Sequence, residues 1–351
     1  MSEPTKPETL DRVLDAALSR AGDEPVRFDV AAGRNALAAA LKSRVEEPVA
    51  VEHRPRRRTR WLAAAAAVAV LTGGGLAAST VDLTGVGSNS ATAAEELTKA
   101  ADLASRVVDR PLAPGQFRYV RSRYEGISPE SSGVAVYSDI LQEKWIPADR
   151  RDEWLFRNRN TSTKWLEGHE GQGQPRSGSA FKDGAEFRGK CGNFSYMAEG
   201  SPDRCTTGTF HAPTPEFVAG LPKDPAQMLA RLKEAGQAGD AGALVQAGEA
   251  LNSGEYPAEV RATIFRALAL LPGLVVTDKK ANLDGKEGVA LGMKHFESFT
   301  EIIIDPADGD YIGRRDTVAE DQSAEMGGLK KGTVRSSSAV STKIVDSLGA
   351  E

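Results

Sequence analysis

The chain has 351 residues, 40% of them hydrophobic and 6% aromatic, and a net charge of −5. This length allows a sizeable core in one large domain or two small ones, and the composition argues against wholesale disorder. Five arginines are concentrated in residues 53–60. A nucleic-acid-binding protein would spread its basic residues over a folded face, so this single block favours a membrane surface instead.

The first 52 residues predict two short amphipathic helices. Residues 9–20 and 31–45 each place Leu, Val and Ala on one helical face, and a turn-like GDEPVRFD segment joins them. Two such helices alone bury too little surface to fold firmly. We expect a cytoplasmic tail that either meets a partner or simply precedes the membrane anchor.

Residues 61–81 predict a transmembrane helix. Their only polar residues are Thr72, Ser79 and Thr80, and a helix of this length covers about 30 Å, the thickness of the hydrocarbon core. The basic cluster at 53–60 places the N-terminal side in the cytoplasm. The residues that orient the span are Arg54, Arg56, Arg57, Arg58, Arg60 and Trp61.

Two other interpretations of this apolar run stay open. A buried Ala-rich helix would leave the adjacent arginines unexplained. A cleaved signal peptide could end after Ala93, since Ala91-Thr92-Ala93 fits the small-residue pattern, but its n-region would be unusually long. In both membrane-related interpretations, residues beyond about 84 lie outside the cytoplasm.

Cys191 and Cys205 are the only cysteines, and both lie in the part of the chain that we expect to be exported. A disulfide between them would close a fifteen-residue loop and contribute about 3 kcal/mol of stability. A metal site and two unpaired thiols are the alternatives. The absence of a nearby histidine pair disfavours the metal.

Residues 82–93 predict a flexible linker, and residues 94–351 an exported domain. A helix is expected at 94–109, ending before Pro111. From 116 to about 197, four apolar or alternating runs predict four strands, with the three tryptophans of this region in separate strands, followed by a long Gly-rich loop at 168–190. The runs are GQFRYVRSRY, GVAVYSDILQEKWI, DEWLFRNRN and TKWLEGH.

A helical stretch then begins at three proline-led sites. Thr214-Pro215, Asp224-Pro225 and Tyr256-Pro257 each resemble an N-cap followed by proline at the first helical position. The third helix is expected to stop at Pro272-Gly273. A return to strands follows, with hairpin turns at Leu283-Asp284-Gly285 and Asp308-Gly309.

The last run, KGTVRSSSAVSTKIVD, predicts a pair of edge strands. Strands, a helical insert and further strands with short turns together predict an α+β domain with an antiparallel sheet.

Several motifs resemble a family of actinobacterial single-pass membrane proteins of unassigned function. The Pro272-Gly273 and Asp305-Pro306 elements are the most specific, and the resemblance covers most of residues 94–351. The matching segments are FDVAAGRNALAAAL, EKWIPADRRDEW, LPKDPAQMLARL, PAEVRATIFRALALLPGLVV, DGKEGVAL, EIIIDPADGDYIG and STKIVDSLG.

This resemblance implies a regulatory role, because genes of the family often neighbour genes for extracytoplasmic-function sigma factors. It brings no catalytic residue, cofactor or metal. More loosely, the exported part is similar to lipoprotein-carrier-like half-barrels, in which a curved antiparallel sheet packs on helices around an apolar cavity. A zinc-type anti-sigma domain is excluded, because residues 1–60 contain His53 but no Cys.

Candidate catalytic chemistry is weak. His169-Glu170 begins like a zinc-protease motif, but residue 173 is Gly, and His211 and His295 lie in no recognised motif. Asp305, Asp308 and Asp310 could bind Ca²⁺ but are more typical of turns. We therefore assign no catalytic, cofactor-binding or metal residues.

We expect a non-enzymatic single-pass cell-membrane protein whose tail, residues 1–52, meets a cytoplasmic sigma factor. The alternative is a membrane-tethered carrier or binding module for a lipid or other apolar ligand, with a cavity lined by Val, Leu and aromatic side chains. The three exported-part tryptophans, Trp145, Trp154 and Trp165, would line a ligand surface or pack in the core.

Overall fold

The computed structural model describes residue 81 and residues 90–351, except residues 132, 199, 237–238 and 325–326. The five helices in these ranges are α1 (Ser90–Ala104), α2 (Pro215–Ala219), α3 (Pro225–Gly236), α4 (Gly239–Asn252) and α5 (Ala258–Leu268). The strands are β1 (Phe117–Ser131), β2 (Val134–Pro147), β3 (Glu153–Trp165), β4 (Ala185–Lys190), β5 (Val275–Leu283), β6 (Lys286–His295), β7 (Ser298–Ile304), β8 (Tyr311–Val318) and β9 (Val334–Val345).

All nine strands form one sheet in the order β4-β3-β2-β1-β9-β8-β7-β6-β5. Every neighbouring pair is antiparallel. The prediction of an α+β class with an antiparallel sheet is confirmed. Two runs of hairpin-connected strands, β1 to β4 and β5 to β8, flank β9, and the helices α2 to α5 lie between these runs in sequence.

The prediction of two C-terminal edge strands is wrong, because β9 is one strand at the centre of the sheet. It pairs with β1 from Phe117↔Val345 onward and with β8 on its other side. The hydroxyls of its serine run find partners inside the fold. Ser338 donates to Asn252 Oδ1 at 2.6 Å, and Ser336 donates to Asp316 Oδ2 at 3.1 Å.

The prediction of two strands between residues 152 and 169 is also wrong. DEWLFRNRN and TKW form the single strand β3, which shifts register against β2 near Asp139. Trp154 and Trp165 therefore share a strand rather than occupying separate ones. The expected loop at 168–190 is shorter than predicted, because β4 begins at Ala185 and pairs with β3.

The proline-led helix starts are mostly confirmed. Pro215 begins α2 behind the N-cap Thr214, and Pro225 begins α3, where Asp224 accepts a bond from Gln227 N–H at 2.9 Å. Pro257 instead occupies the N-cap of α5, so this helix begins at Ala258, one residue later than expected. The first helix starts at Ser90, inside the segment expected to be linker, and ends at Ala104.

The helices cover one face of the sheet. Helix α4 contacts β6, β7, β8 and β9, α3 packs on α4 and α5, and α1 packs on α5 and β5. A continuous apolar core lies between these helices and the sheet. Its largest fully buried side chains include Leu97, Ile146, Met228, Leu232, Leu244, Ile264, Phe265, Leu268, Leu274 and Leu291.

The face away from the helices carries buried ion pairs. Glu301 on β7 is completely buried and accepts from Arg315 Nε at 2.6 Å and from Thr317 at 2.9 Å. The β5–β6 turn folds over this same face, where Asp284 pairs with Arg121 and Arg123 of β1. These contacts tie the two halves of the sheet together across β8 and β9.

No helix among the described residues is long and apolar enough to cross a bilayer. The predicted span at 61–81 and the tail at 1–52 lie outside the described residues, apart from Val81.

The β6–β7 turn contains a strained residue. His295 pairs with Ser298, so the turn has two central residues, and the first of them, Phe296, has φ +54°. Hairpin turns normally place Gly or Asn there, because a bulky side chain is strained in the left-handed region. Phe296 is also 79% exposed, so its ring gains little burial in return.

We predict that Phe296→Gly raises the free energy of unfolding by about 1 kcal/mol, because glycine removes the left-handed strain and no buried contact is lost. Urea denaturation of the wild type and the variant measures the change. Asp284→Gly is the matched control, since Asp284 also has positive φ but holds Arg121 and Arg123. The control should gain less or lose stability, and a destabilised Phe296→Gly variant would contradict the strain argument.

Candidate functional site

The disulfide predicted between Cys191 and Cys205 is present, with the two Cα atoms 5.1 Å apart. Cys191 directly follows β4, and its backbone N–H donates to Asp152 O at 3.1 Å. The bridge closes a loop within the segment between β4 and α2, and the Cys191 hydrogen bond attaches that loop to the β2–β3 turn. Structural disulfides form and persist mainly in oxidising environments.

A cleft with a volume of about 420 Å³ opens beside this disulfide. Its walls come from the β2–β3 turn, the disulfide-bridged segment and the start of α2. The lining residues are Ala148, Asp149, Arg150, Arg151, Trp154, Cys191, Arg204, Cys205, Ala212, Pro213, Thr214, Pro215 and Glu216. The sequence analysis identified its two cysteines and Trp154 but none of its charged residues.

Arg150 forms the fixed part of the cleft wall. Its guanidinium lies 4.8 Å from the centroid of the Trp154 ring and donates to Pro213 O at 2.9 Å. It also pairs with Glu255, which lies just after α4. Trp154 donates its indole N–H to Arg150 O at 2.9 Å. The cleft is thus attached to the helical insert as well as to the sheet.

Glu255 is a buried carboxylate shared by two cations. Lys144 on β2 approaches it to 3.1 Å, and Arg150 is its second partner. Burial opposes ionisation of Glu255, but the charges of Lys144 and Arg150 and their hydrogen bonds outweigh burial and hold its pKa below the ordinary 4.5. The carboxylate is therefore ionised at neutral pH.

Two further arginines line the cleft, and one of them, Arg204, gives it a positive charge that no described residue neutralises. Arg204 makes no side-chain hydrogen bond or ion pair with any residue that the structure describes. Arg151 is 84% exposed and contacts only Asp149, at 3.3 Å, within the same described set. Guanidinium groups bind carboxylates and phosphates in a planar, two-pronged manner. The cleft is chemically suited to an anionic ligand, although Asp149 and Glu216 also line it.

Five aromatic rings form a cluster at the β3–β4 edge of the sheet. They come from β3, the loop before β4, β4 itself and the disulfide-bridged segment, and the closest centroids are 4.7 Å apart, between Phe181 and Tyr196. Tyr196 is 38% exposed. The members are Phe156, Phe181, Phe187, Phe194 and Tyr196. Sequence reasoning missed this cluster, because its rings come from separate segments that only the folded chain brings together.

The tryptophans divide between core and surface. Trp145 is completely buried, which fits packing in the core, whereas Trp154 is nearly buried but also lines the cleft beside the disulfide. Trp165 is partly exposed and donates its indole N–H to Gly173 O at 3.1 Å.

Two more clefts meet the sheet, and charged residues line both. A cleft of about 180 Å³ is lined by Tyr124, Arg314, Asp316 and the Ser336–Ser338 run, among others. Another, of about 430 Å³, is lined by residues such as Arg261, Lys286 and Asp310. Neither is the apolar chamber that a lipid carrier would require.

The three histidines make different contacts and line none of these clefts. His169 Nδ1 lies 3.1 Å from Gly133 O, and His211 Nδ1 lies 3.6 Å from a Glu249 carboxylate oxygen. The ring of His295 lies against that of Phe296, with centroids 4.5 Å apart. The geometry brings no two of them to one cleft among those described.

The acidic segment at 305–310 forms a turn. Asp305 accepts from Ala307 N–H at 2.8 Å, and Asp308 accepts from Asp310 N–H at 2.9 Å. Burial, followed by the nearby Asp308, raises the pKa of Asp310. Within the described residues, no group of three or more His, Cys, Asp or Glu side chains is placed to hold a metal ion.

We predict that Glu255→Gln lowers the free energy of unfolding by about 3 kcal/mol at pH 7, because it leaves Lys144 and Arg150 without their buried partner. A carboxyl whose folded pKa is depressed stabilises the fold above its ordinary pKa and loses that contribution as pH falls through the folded value. The wild type should therefore lose stability below about pH 4.5, and the variant should show a flatter acid dependence.

Urea denaturation between pH 2 and 8 measures both effects, with Glu259→Gln as the control. Glu259 is 77% exposed and lies 3.6 Å from Lys223, so its loss should matter little. Equal acid dependence of stability in the wild type and Glu255→Gln would contradict the assignment of Glu255 as an ionised, buried carboxylate.

Comparison with known proteins gives no match: no family model, curated protein or solved structure is similar to this chain at a significant level. The family resemblance drawn from motifs such as Pro272-Gly273 therefore stays an expectation.

Proposed function

We propose that the chain is a non-enzymatic single-pass membrane protein, an anti-sigma-like regulator or sensor with a large extracytoplasmic domain. The observation that carries this proposal is the Cys191–Cys205 disulfide, because structural disulfides form and persist mainly in oxidising environments. The 60 residues before the apolar run contain no cysteine and end in the arginine cluster, which suits the cytoplasmic side.

The cleft beside the disulfide supplies the sensing site in this proposal. Its free Arg204 and exposed Arg151 would bind the carboxylate or phosphate of a small anionic ligand. Arg150 extends from this cleft to Glu255 at the end of the helical insert. A ligand could thus change how the helices sit on the sheet.

A route to the membrane is also available in this proposal. The backbone N–H of Val81, the last residue of the predicted span, donates to Gly332 O at 2.7 Å. Gly332 lies just before β9, which crosses the whole domain. A conformational change in the sheet would therefore reach Val81, where the chain emerges from the membrane in this proposal.

The second candidate is a membrane-tethered carrier or binding module for a lipid or other apolar ligand, built like a half-barrel. The aromatic cluster at the β3–β4 edge favours it, because partly exposed rings such as Tyr196 offer an apolar contact surface. The charged residues that line the clefts and the packed helix–sheet core weigh against it. Phospholipid that copurifies with the full chain after detergent exchange, identified by mass spectrometry, would favour the carrier.

Affinity capture of the full-length chain from bacterial membranes tests the regulatory proposal. We expect a sigma factor to copurify through the apolar face of residues 9–20. The variant Leu14→Asp/Leu18→Asp should abolish capture, since both leucines lie on that face. The matched control Asp15→Asn changes the polar face and should retain the partner. Two results would overturn the regulatory role. One is the recovery of no cytoplasmic protein, and the other is equal recovery of the partner with the wild type, the double variant and the control.

A further inference from the structure

The exposed, strained Phe296 lies at the same end of the domain as Val81, the last residue of the predicted membrane span. Val81 N–H donates a hydrogen bond to Gly332 O, and Gly332 N–H donates to Val318 O at 2.8 Å. Val318 pairs with Ser298, the residue that closes the β6–β7 turn. Two strand spacings separate Gly332 from Ser298, so the backbones of these two residues lie about 10 Å apart.

Phe296 is poorly explained by folding alone. It is 79% exposed and occupies a left-handed position where glycine is preferred. Neighbouring backbone bonds hold the turn firmly, since Ala319 N–H donates to Glu297 O at 2.9 Å. A rigid turn that presents an aromatic ring to solvent is a costly local arrangement, and such arrangements concentrate at sites of function.

Near Phe296, two lysines are paired with carboxylates, and the adjacent Glu297 forms no ion pair with any described residue. Lys294 pairs with Glu320 at 2.5 Å, and Lys330 pairs with Asp321 at 3.1 Å. Attraction to an anionic surface would therefore be weak. The ring itself is the feature that a partner would recognise, and an apolar or interfacial environment is the one that suits it.

We propose that the β6–β7 turn docks on the bilayer surface, with the Phe296 ring inserted at the boundary between headgroups and acyl chains. This inference rests on the proposed membrane anchor, because Val81 then lies at the level of the lipid headgroups. Phe296 lies two residues from Ser298 at this end of the sheet, so its ring lies within reach of the boundary layer into which amphipathic groups insert by about 5–10 Å. Docking fixes the orientation of the domain relative to the membrane.

The test uses the full chain in vesicles of neutral phosphatidylcholine, with or without bromine atoms on the acyl chains. Bromine quenches tryptophan on contact. Phe296→Trp adds one reporter at the turn, and Val108→Trp adds one at a site beyond α1 that is 86% exposed. Val108 precedes Asp109, which accepts from Ala258 N–H at 2.7 Å at the start of α5, the opposite end of the domain. The wild type supplies the emission of the native tryptophans.

We expect brominated lipid to remove most of the emission that Phe296→Trp adds and to leave the emission added by Val108→Trp unchanged. Equal quenching of the two added reporters, or none at residue 296, would overturn the docking. A blue shift at residue 296 without quenching would show a protein partner or a second copy instead, and would also overturn it. Release of the wild-type chain from the vesicles by alkaline carbonate would show, separately, that the proposed anchor is wrong.

Discussion

The pairing of β9 with both β1 and β8 is the interaction on which the rest of the structure depends. Without it, the hairpin runs β1–β4 and β5–β8 would be two separate small sheets, each with an additional unpaired edge. Phe117 pairs with Val345 across more than two hundred residues. The sheet is therefore completed only by the last strand of the chain, and its long-range pairing implies slow folding.

Buried charges give this sheet its specificity. Glu301 is fully buried between Arg315 and two threonine hydroxyls, and Glu255 is buried between Lys144 and Arg150. A sheet with shifted register would leave these carboxylates without partners. That register is disfavoured, because a buried unpaired charge is costly. The first network lies on the face away from the helices, and the second fixes the helical insert to β2. The second network, through Arg150, couples the cleft beside the disulfide to both layers.

The sequence predicts local features well and long-range placement poorly. The alternating runs, the Asp284-Gly285 turn and the prolines at 215 and 225 act within a few residues, so their signals survive in the sequence. The central place of β9 could not be predicted, because its Ser336–Ser338 run is polar and its partners, such as Asn252, lie far away in the chain. The arginines of the cleft were missed for the same reason: they become neighbours only after folding.

Continuity through β9 also carries the functional account, since β9 begins beside the tether contact at Gly332 and runs to the end of the domain where β1 begins. Native-state hydrogen exchange of the full chain tests this continuity most directly. The account predicts that the most protected amides of β2, β7 and β9 exchange with one common free energy, as a single cooperative unit. Exchange of the β1–β4 half at a clearly lower free energy than the β5–β9 half would contradict it.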